Sequence, residues 1–157
     1  MKVNQYSVRA HLETRAQYLV CEKTFNSKDE MKLDNPKAIE FFLNEYADAA
    51  ELPNEKTWLF CLDNAARLIG FSELTQGTDS ATIFDVKRAL QIALMTGASA
   101  IAVAHNHPSG SLEPSGEDCG TTKRMDEACK LLGITLLDHV IVGYKGYYSF
   151  REGGRLM

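Results

Sequence analysis

The segment HNHPSGSLEPSGED runs from His105 to Asp118 and follows directly on the small apolar run Ala100–Ala104. In an extended chain residues i and i+2 point to the same side. His105 and His107, at the end of a strand, therefore offer both imidazoles to one point. Asp118 falls three residues after Ser115, in the first turn of a following helix, and the intervening loop is long enough to fold that turn back beside the histidines. Two neutral imidazoles and one carboxylate form a ligand set that zinc accepts, with the fourth tetrahedral position left to water. Such an open site lowers the pKa of bound water to about 7 and polarises a carbonyl oxygen, so the chemistry implied is hydrolysis.

Plainer interpretations of the same letters stand beside this one. His-x-His occurs by chance, and Ser115–Asp118 also fits the Ser-x-x-acid capping box, in which Asp118 serves only its own helix. The string HNH is not the nuclease motif of that name, whose residues are spread widely along a chain. A zinc deaminase is excluded, because it needs His-x-Glu followed by Pro-Cys-x-x-Cys, and neither occurs.

These residues must be held by elements that the rest of the chain supplies. Ser115 reads as the N-cap of a helix through Leu132 that Gly133 closes. Upstream, SAIAVA (99–104) reads as a buried strand. The stretch TIFDVKRALQIALMTGA predicts an amphipathic helix with Ile83, Val86, Leu90, Ala93 and Leu94 on one face and Gly97 at its stop. KTWLFCLD (56–63) and RLIGFSEL (67–74) read as a buried strand and its hairpin partner across DNAAR. Asn35 caps a helix over about 36–51, with Pro36 at its first position, Ile39, Phe42, Leu43 and Tyr46 inward, and Pro53 ending it. ITLLDHVIVG (134–143) and YYSF are strands joined by a GYKG turn. QYSVRAHLE and AQYLVCEKTF, near the start, could be short strands. From Asn35 onward the order is α-β-β-α-β-α-β-β, which predicts one mixed α/β domain with a mixed sheet flanked by helices. The segment 1–53 is expected to join the same globular unit.

Composition narrows the class. The chain has 157 residues, 45% apolar and 24% charged, enough for one domain with a real core. No apolar stretch approaches the roughly 18 residues of a membrane span, and no signal peptide is read at the N-terminus. Cys21, Cys61, Cys119 and Cys129 form no CxxC pair and are expected as free thiols in a reducing cytoplasm. A net charge of −4 argues against a broad nucleic-acid surface, although a local basic patch remains compatible with it.

His105-Asn-His107, seven intervening residues, Ser115, two residues and Asp118 resemble the motif of the JAMM (JAB/MPN) metalloproteases. AVAHNHPSG, EPSGED and ITLLDHVIVG resemble the bacterial RadC branch of that superfamily, and the likeness runs from about Asn54 to Phe150. It implies the JAB/MPN fold, with Zn²⁺ on His105, His107 and Asp118. It also implies that Ser115 helps hold the substrate carbonyl or tetrahedral intermediate, and that Glu55, in EKTWLFCLD, acts on the zinc-bound water. Glu73, at the end of the hairpin partner, is the alternative base. The activity implied is cleavage of a peptide or isopeptide bond. RadC proteins usually carry a helix-hairpin-helix region, which the first fifty residues here do not resemble. The competing expectation is a DNA-repair or mobile-element accessory protein whose metal site is structural or idle.

Two further features are expected to be structural. Asp138 and His139, in a strongly apolar strand, read as a buried hydrogen-bonded pair, with a supporting role behind the metal ligands open to Asp138. Cys119 reads as a small buried side chain.

Overall fold

Every residue from Thr57 to Leu62 is buried, which a strand achieves only when both faces of its sheet are covered. Even-numbered Trp58, Phe60 and Leu62 join one apolar cluster and odd-numbered Leu59 and Cys61 the other, as the two-residue period requires. The computed structural model describes residues 1–27, 29–76 and 84–156. In chain order its elements are β1 (Lys2–Ala10), β2 (Gln17–Asn26), α1 (Pro36–Ala47), a 3-10 turn (Ala49–Glu51), β3 (Lys56–Leu62), β4 (Leu68–Gln76), α2 (Val86–Thr96), β5 (Ala100–Asn106), α3 (Gly116–Leu132), β6 (Thr135–Gly143) and β7 (Gly146–Ser149).

The strands form one seven-stranded sheet in the order β2-β1-β4-β3-β5-β6-β7. Four neighbouring pairs are antiparallel, while β1–β4 and β5–β6 are parallel. The sheet is therefore mixed, as the fold class expected from sequence requires. Ile39, Phe42 and Leu43 of α1 cover one face, packed with Trp58, Phe60, Phe71 and Val140. On the other face Ala89, Ile92 and Ala93 of α2 and Met125 and Cys129 of α3 pack with Leu59, Ile101, Val103 and Ile141. Burying a side chain of this size contributes about 1.5–3 kcal/mol, so both helical layers are held mainly by these faces.

Several boundaries differ from the sequence expectation. Helix α1 ends at Ala47 rather than near Glu51, because Asp48 takes the left-handed conformation at φ 48° and its N–H bonds to the Leu43 carbonyl. Pro53 lies beyond the stop. Of the expected inward face of α2, Ala93 is buried and Val86 and Leu90 pack against the core, joined by Ala89 and Ile92, whereas Leu94 is 55% exposed. Ile83 of the expected face lies outside the described residues. Strand β5 continues past Ala104 through His105 and Asn106, since pairing with Thr57 on one side and with Ile141 and Val142 on the other persists to its end. Helix α3 begins and ends where its caps indicate, with Ser115 at the N-cap and Gly133 at φ 70°. The segments at the start form a long hairpin, and β1 pairs with β4 within the main sheet.

Candidate metal centre

His105 shares the face of Ile101 and Val103 that looks toward α2 and α3, and is almost fully buried. His107 leaves the strand, but its backbone N–H still bonds to the Val142 carbonyl at 2.9 Å. Beyond it the chain turns sharply, with the Gly110 N–H on the His107 carbonyl at 2.9 Å. Gly110 sits at φ 81°, where a Cβ would fall 2.0 Å from the Tyr144 ring, so only glycine suits this turn. The turn brings the Ser111 carbonyl to 2.7 Å from His107 Nδ1. A carbonyl only accepts, so Nδ1 carries the proton and Nε2 of a neutral His107 keeps a bare lone pair.

That lone pair faces His105 Nε2 at 2.9 Å. The Asp118 carboxylate lies alongside, with Oδ1 3.5 Å from His105 Nε2 and Oδ2 3.7 Å from His107 Nε2. Glu55 Oε1 stands 3.9 Å from His105 Nε2. One donor atom from each of Glu55, His105, His107 and Asp118 fits within 4.8 Å of all the others. The structure thus brings together the three expected ligands and Glu55. Glu73 lies elsewhere, in an ion pair with Lys56 at 3.5 Å.

The capping box and the cluster turn out to be the same residues. Ser115 Oγ accepts from the Asp118 N–H at 3.0 Å, and the Ser115 N–H donates to Asp118 Oδ2 at 2.8 Å. The cap orients the carboxylate while leaving it facing the histidines, so the plain interpretation and the chemical one are compatible. Ser115 is exposed at the rim of this arrangement.

The electrostatics favour a cation between these groups. Burial opposes charge on Asp118, yet its contacts with the His105 and His107 rings in their protonated form outweigh it and hold the carboxyl well below the usual carboxylate range. The Asp118 hydrogen bond likewise raises His107 above the ordinary imidazole value, against a smaller opposing effect of burial. Two imidazole nitrogens and a carboxylate oxygen converging on one point are donors that zinc accepts. The donor set therefore fits such an ion.

Sequence reasoning passed over Asn106, between the two histidines. Its side chain is buried and bridges to the segment before β3. Oδ1 accepts from the Lys56 N–H at 2.7 Å, and Nδ2 donates to the Asn54 carbonyl at 3.0 Å. Glu55 is thereby clamped on both sides by a residue fifty positions away. A cleft of about 460 Å³ opens here, lined by Pro53, Asn54, Glu55, His107, Pro108, Ser109, Ser111 and Glu113.

Two other expectations need correction. Asp138 and His139 are the buried hydrogen-bonded pair expected, but Asp138 is not behind the expected ligands; it accepts from Ser149 Oγ and from the N–H groups of His139 and Arg151. His139 instead reaches the site, with Nε2 2.8 Å from His105 Nδ1. Cys119 is half-buried rather than buried, with Arg155 Nη1 3.1 Å from its sulfur. Cys21, Cys61, Cys119 and Cys129 are all free thiols, and burial pushes Cys61 and Cys129 up to about 11. No described helix is long and apolar enough to cross a membrane.

Known proteins resemble this chain over much of its length. The chain is 42% identical over 105 residues to a UPF0758 protein of Thermotoga maritima, covering 67% of this chain and 47% of that protein. A UPF0758 protein of Porphyromonas gingivalis is 41% identical over 107 residues, covering 68% and 47%. One from Streptococcus pyogenes serotype M49 is 33% identical over 155 residues, covering 99% and 66%. The chain spans about half the length of the first two relatives. The RadC-like JAB domain matches residues 33–155, beginning about twenty residues before the likeness legible in the motifs. The chain belongs to the RadC-like JAB domain family.

Proposed function

We propose that this protein is a zinc-dependent hydrolase of JAMM metallopeptidase type, cleaving a peptide or isopeptide bond. The observation that carries the proposal is the convergence of Glu55, His105, His107 and Asp118 donors within 4.8 Å beside an open cleft. His105, His107 and Asp118 would hold Zn²⁺, which when bound supplies a Lewis acid that brings water toward a pKa of about 7 and polarises a carbonyl. Glu55 takes a proton from the attacking water and returns it to the leaving amine, so that water is added across the amide. The Ser115 hydroxyl accepts from the Asp118 N–H and has its own hydrogen left to donate to the developing oxyanion. The cleft orients the scissile bond. The test is a library of peptides and isopeptide-linked conjugates incubated with zinc-loaded protein. Cleavage abolished by a chelator and restored by zinc supports the proposal; chelator-resistant cleavage contradicts it.

Asn106 gives a prediction about placement. Asn106→Leu strips the partners from the Lys56 N–H and the Asn54 carbonyl, at about 1–3 kcal/mol for each group left buried without one. Denaturant unfolding is expected to show that loss. Zinc content should persist while kcat falls, since Glu55 loses its clamp but the three ligands do not. Unchanged kcat in a folded Asn106→Leu would contradict the clamp.

The pH dependence of zinc binding follows from His107. Its folded pKa is raised by Asp118, so in the metal-free protein it keeps a proton to higher pH than the ordinary value of about 6.5. That proton stabilises the metal-free fold fully below about 6.5, and the contribution is lost as pH rises through the folded pKa. Zinc must displace it, so affinity is level above the raised pKa and falls as pH drops through it. Asp118 stays ionised throughout this window, because its carboxyl is held so low. Zinc titrations across pH should show the decline beginning above about 6.5; an onset only in the carboxylate range would contradict the assignment.

A further inference from the structure

The buried flank of the cluster is built from polar atoms whose hydrogens can be assigned one by one. Thr122 Oγ1 lies 2.6 Å from the Asp118 carbonyl and 2.6 Å from His139 Nδ1. The carbonyl can only accept, so the threonine hydrogen is committed to it. The second contact then requires His139 Nδ1–H to donate to Oγ1. His139 is 1% exposed, stacked on Phe150 with centroids 4.6 Å apart and met edge-on by Phe84 at 5.7 Å. In that apolar slot it is a neutral ring with a single N–H. Its Nε2 is therefore an acceptor, and the 2.8 Å contact to His105 Nδ1 must be a hydrogen bond that His105 donates. His105 is left with its lone pair on Nε2, which faces Asp118 and Glu55 and lies 2.9 Å from the lone pair of His107, an approach that a cation or a shared proton between the two rings satisfies.

We propose that Thr122 and His139 are positioning residues that fix His105 in the tautomer able to bind a metal, and so set the zinc affinity of the site. The proposal rests on the assignment of His105 as a ligand. The chain of bonds runs from the His105 ring on β5, through His139 on β6 and Thr122 on α3, to the backbone carbonyl of Asp118 itself. It joins two ligands through three elements. The register permits it because His139 faces Val103 and Ile141 faces His105, which makes His139 and His105 diagonal cross-strand neighbours on one face, within reach of two rings.

Thr122→Val and Thr122→Ser separate this role from packing. Valine keeps the shape but removes the acceptor, leaving His139 Nδ1–H without a partner. The ring is relieved by carrying its proton on Nε2, which forces the His105 proton onto the metal-binding nitrogen. Loss of such a partner behind a ligand typically costs about 10–100-fold in metal affinity. Serine keeps the hydroxyl and loses only a methyl group. Zinc affinity, measured by competition with a chelating dye, is expected to fall about 10–100-fold in Thr122→Val and to stay at the wild-type value in Thr122→Ser. A packing role predicts the reverse order. Long-range ¹⁵N–¹H spectra of the metal-free wild type, taken well above the ordinary imidazole pKa of about 6.5, should place the His105 proton on Nδ1. That spectrum needs no variant and no metal. A His105 proton on Nε2, or wild-type zinc affinity in Thr122→Val, overturns the relay. Zinc retained in full by His105→Ala overturns instead the ligand assignment beneath it.

Discussion

Glu55→Gln is expected to keep its fold and its zinc while losing at least about a hundredfold in kcat, the lower end of the usual general acid–base contribution of about 10²–10⁴-fold. Glutamine preserves the size of the side chain and its place between Asn54 and Lys56, where Asn106 holds the backbone on either side. It cannot take a proton from water and hand it to a leaving amine. A merely solvated glutamate at a strand's start would tolerate the change within about 0.5 kcal/mol of stability and with activity intact. Once a cleaved substrate is in hand, rates for wild type and Glu55→Gln at matched zinc content decide between the two. Equal rates would remove Glu55 from the mechanism. Glu73, tied to Lys56 at 3.5 Å and outside the cluster, is not a geometric substitute for it.

The second large effect is loss of the metal. His107→Ala removes one of the three proposed protein ligands, and two do not make a stable tetrahedral zinc site. Elemental analysis of the purified variant is expected to find zinc far below one per chain. Circular dichroism should show the metal-free variant still folded, because His107 lies just past β5, outside the apolar clusters. Undiminished zinc in His107→Ala would place the ion elsewhere.

How much of this could be read from the chain depends on how local each cause is. Helix α3 was legible from cap to cap because Ser115 and Gly133 act on their own neighbours. The convergence of His105 and His107 was legible because strand geometry alone sends i and i+2 to one side, and the fold class followed from the alternation of strands with helices. The turn joining β1 to β2 was not. It is closed by Arg15 at φ 62°, with the His11 N–H on the Ala16 carbonyl at 2.9 Å, and carries none of the Gly, Asn or Pro letters that mark such a turn. Asp48 at φ 48° hid the end of α1 in the same way. The core face of α2 was legible at Val86, Leu90 and Ala93, which pack into the core, but Leu94 is exposed and Ala89 and Ile92 went unread, Ala89 because an alanine contributes little to an apolar pattern.

The supporting residues of the site were illegible for a different reason. Asn106 acts on Asn54 and Lys56, and His139 on His105, across sequence gaps of about fifty and 34 residues. Their partners depend on strand register, including the irregularity between Ile101 and Ala102. A one-residue slip would have turned Asp138 toward the ligands and His139 away. The sequence placed both in one strand but could not say which of them faced the candidate metal centre.

The most direct test of the account is the identity of the atoms around the metal. Metal-free protein titrated with zinc and examined by X-ray absorption is predicted to take up one zinc per chain. The first shell should contain nitrogen and oxygen at about 2.0–2.2 Å, with the scattering pattern of two imidazoles. Failure to bind zinc, or a sulfur neighbour at about 2.3 Å from any of the four free cysteines, would contradict it.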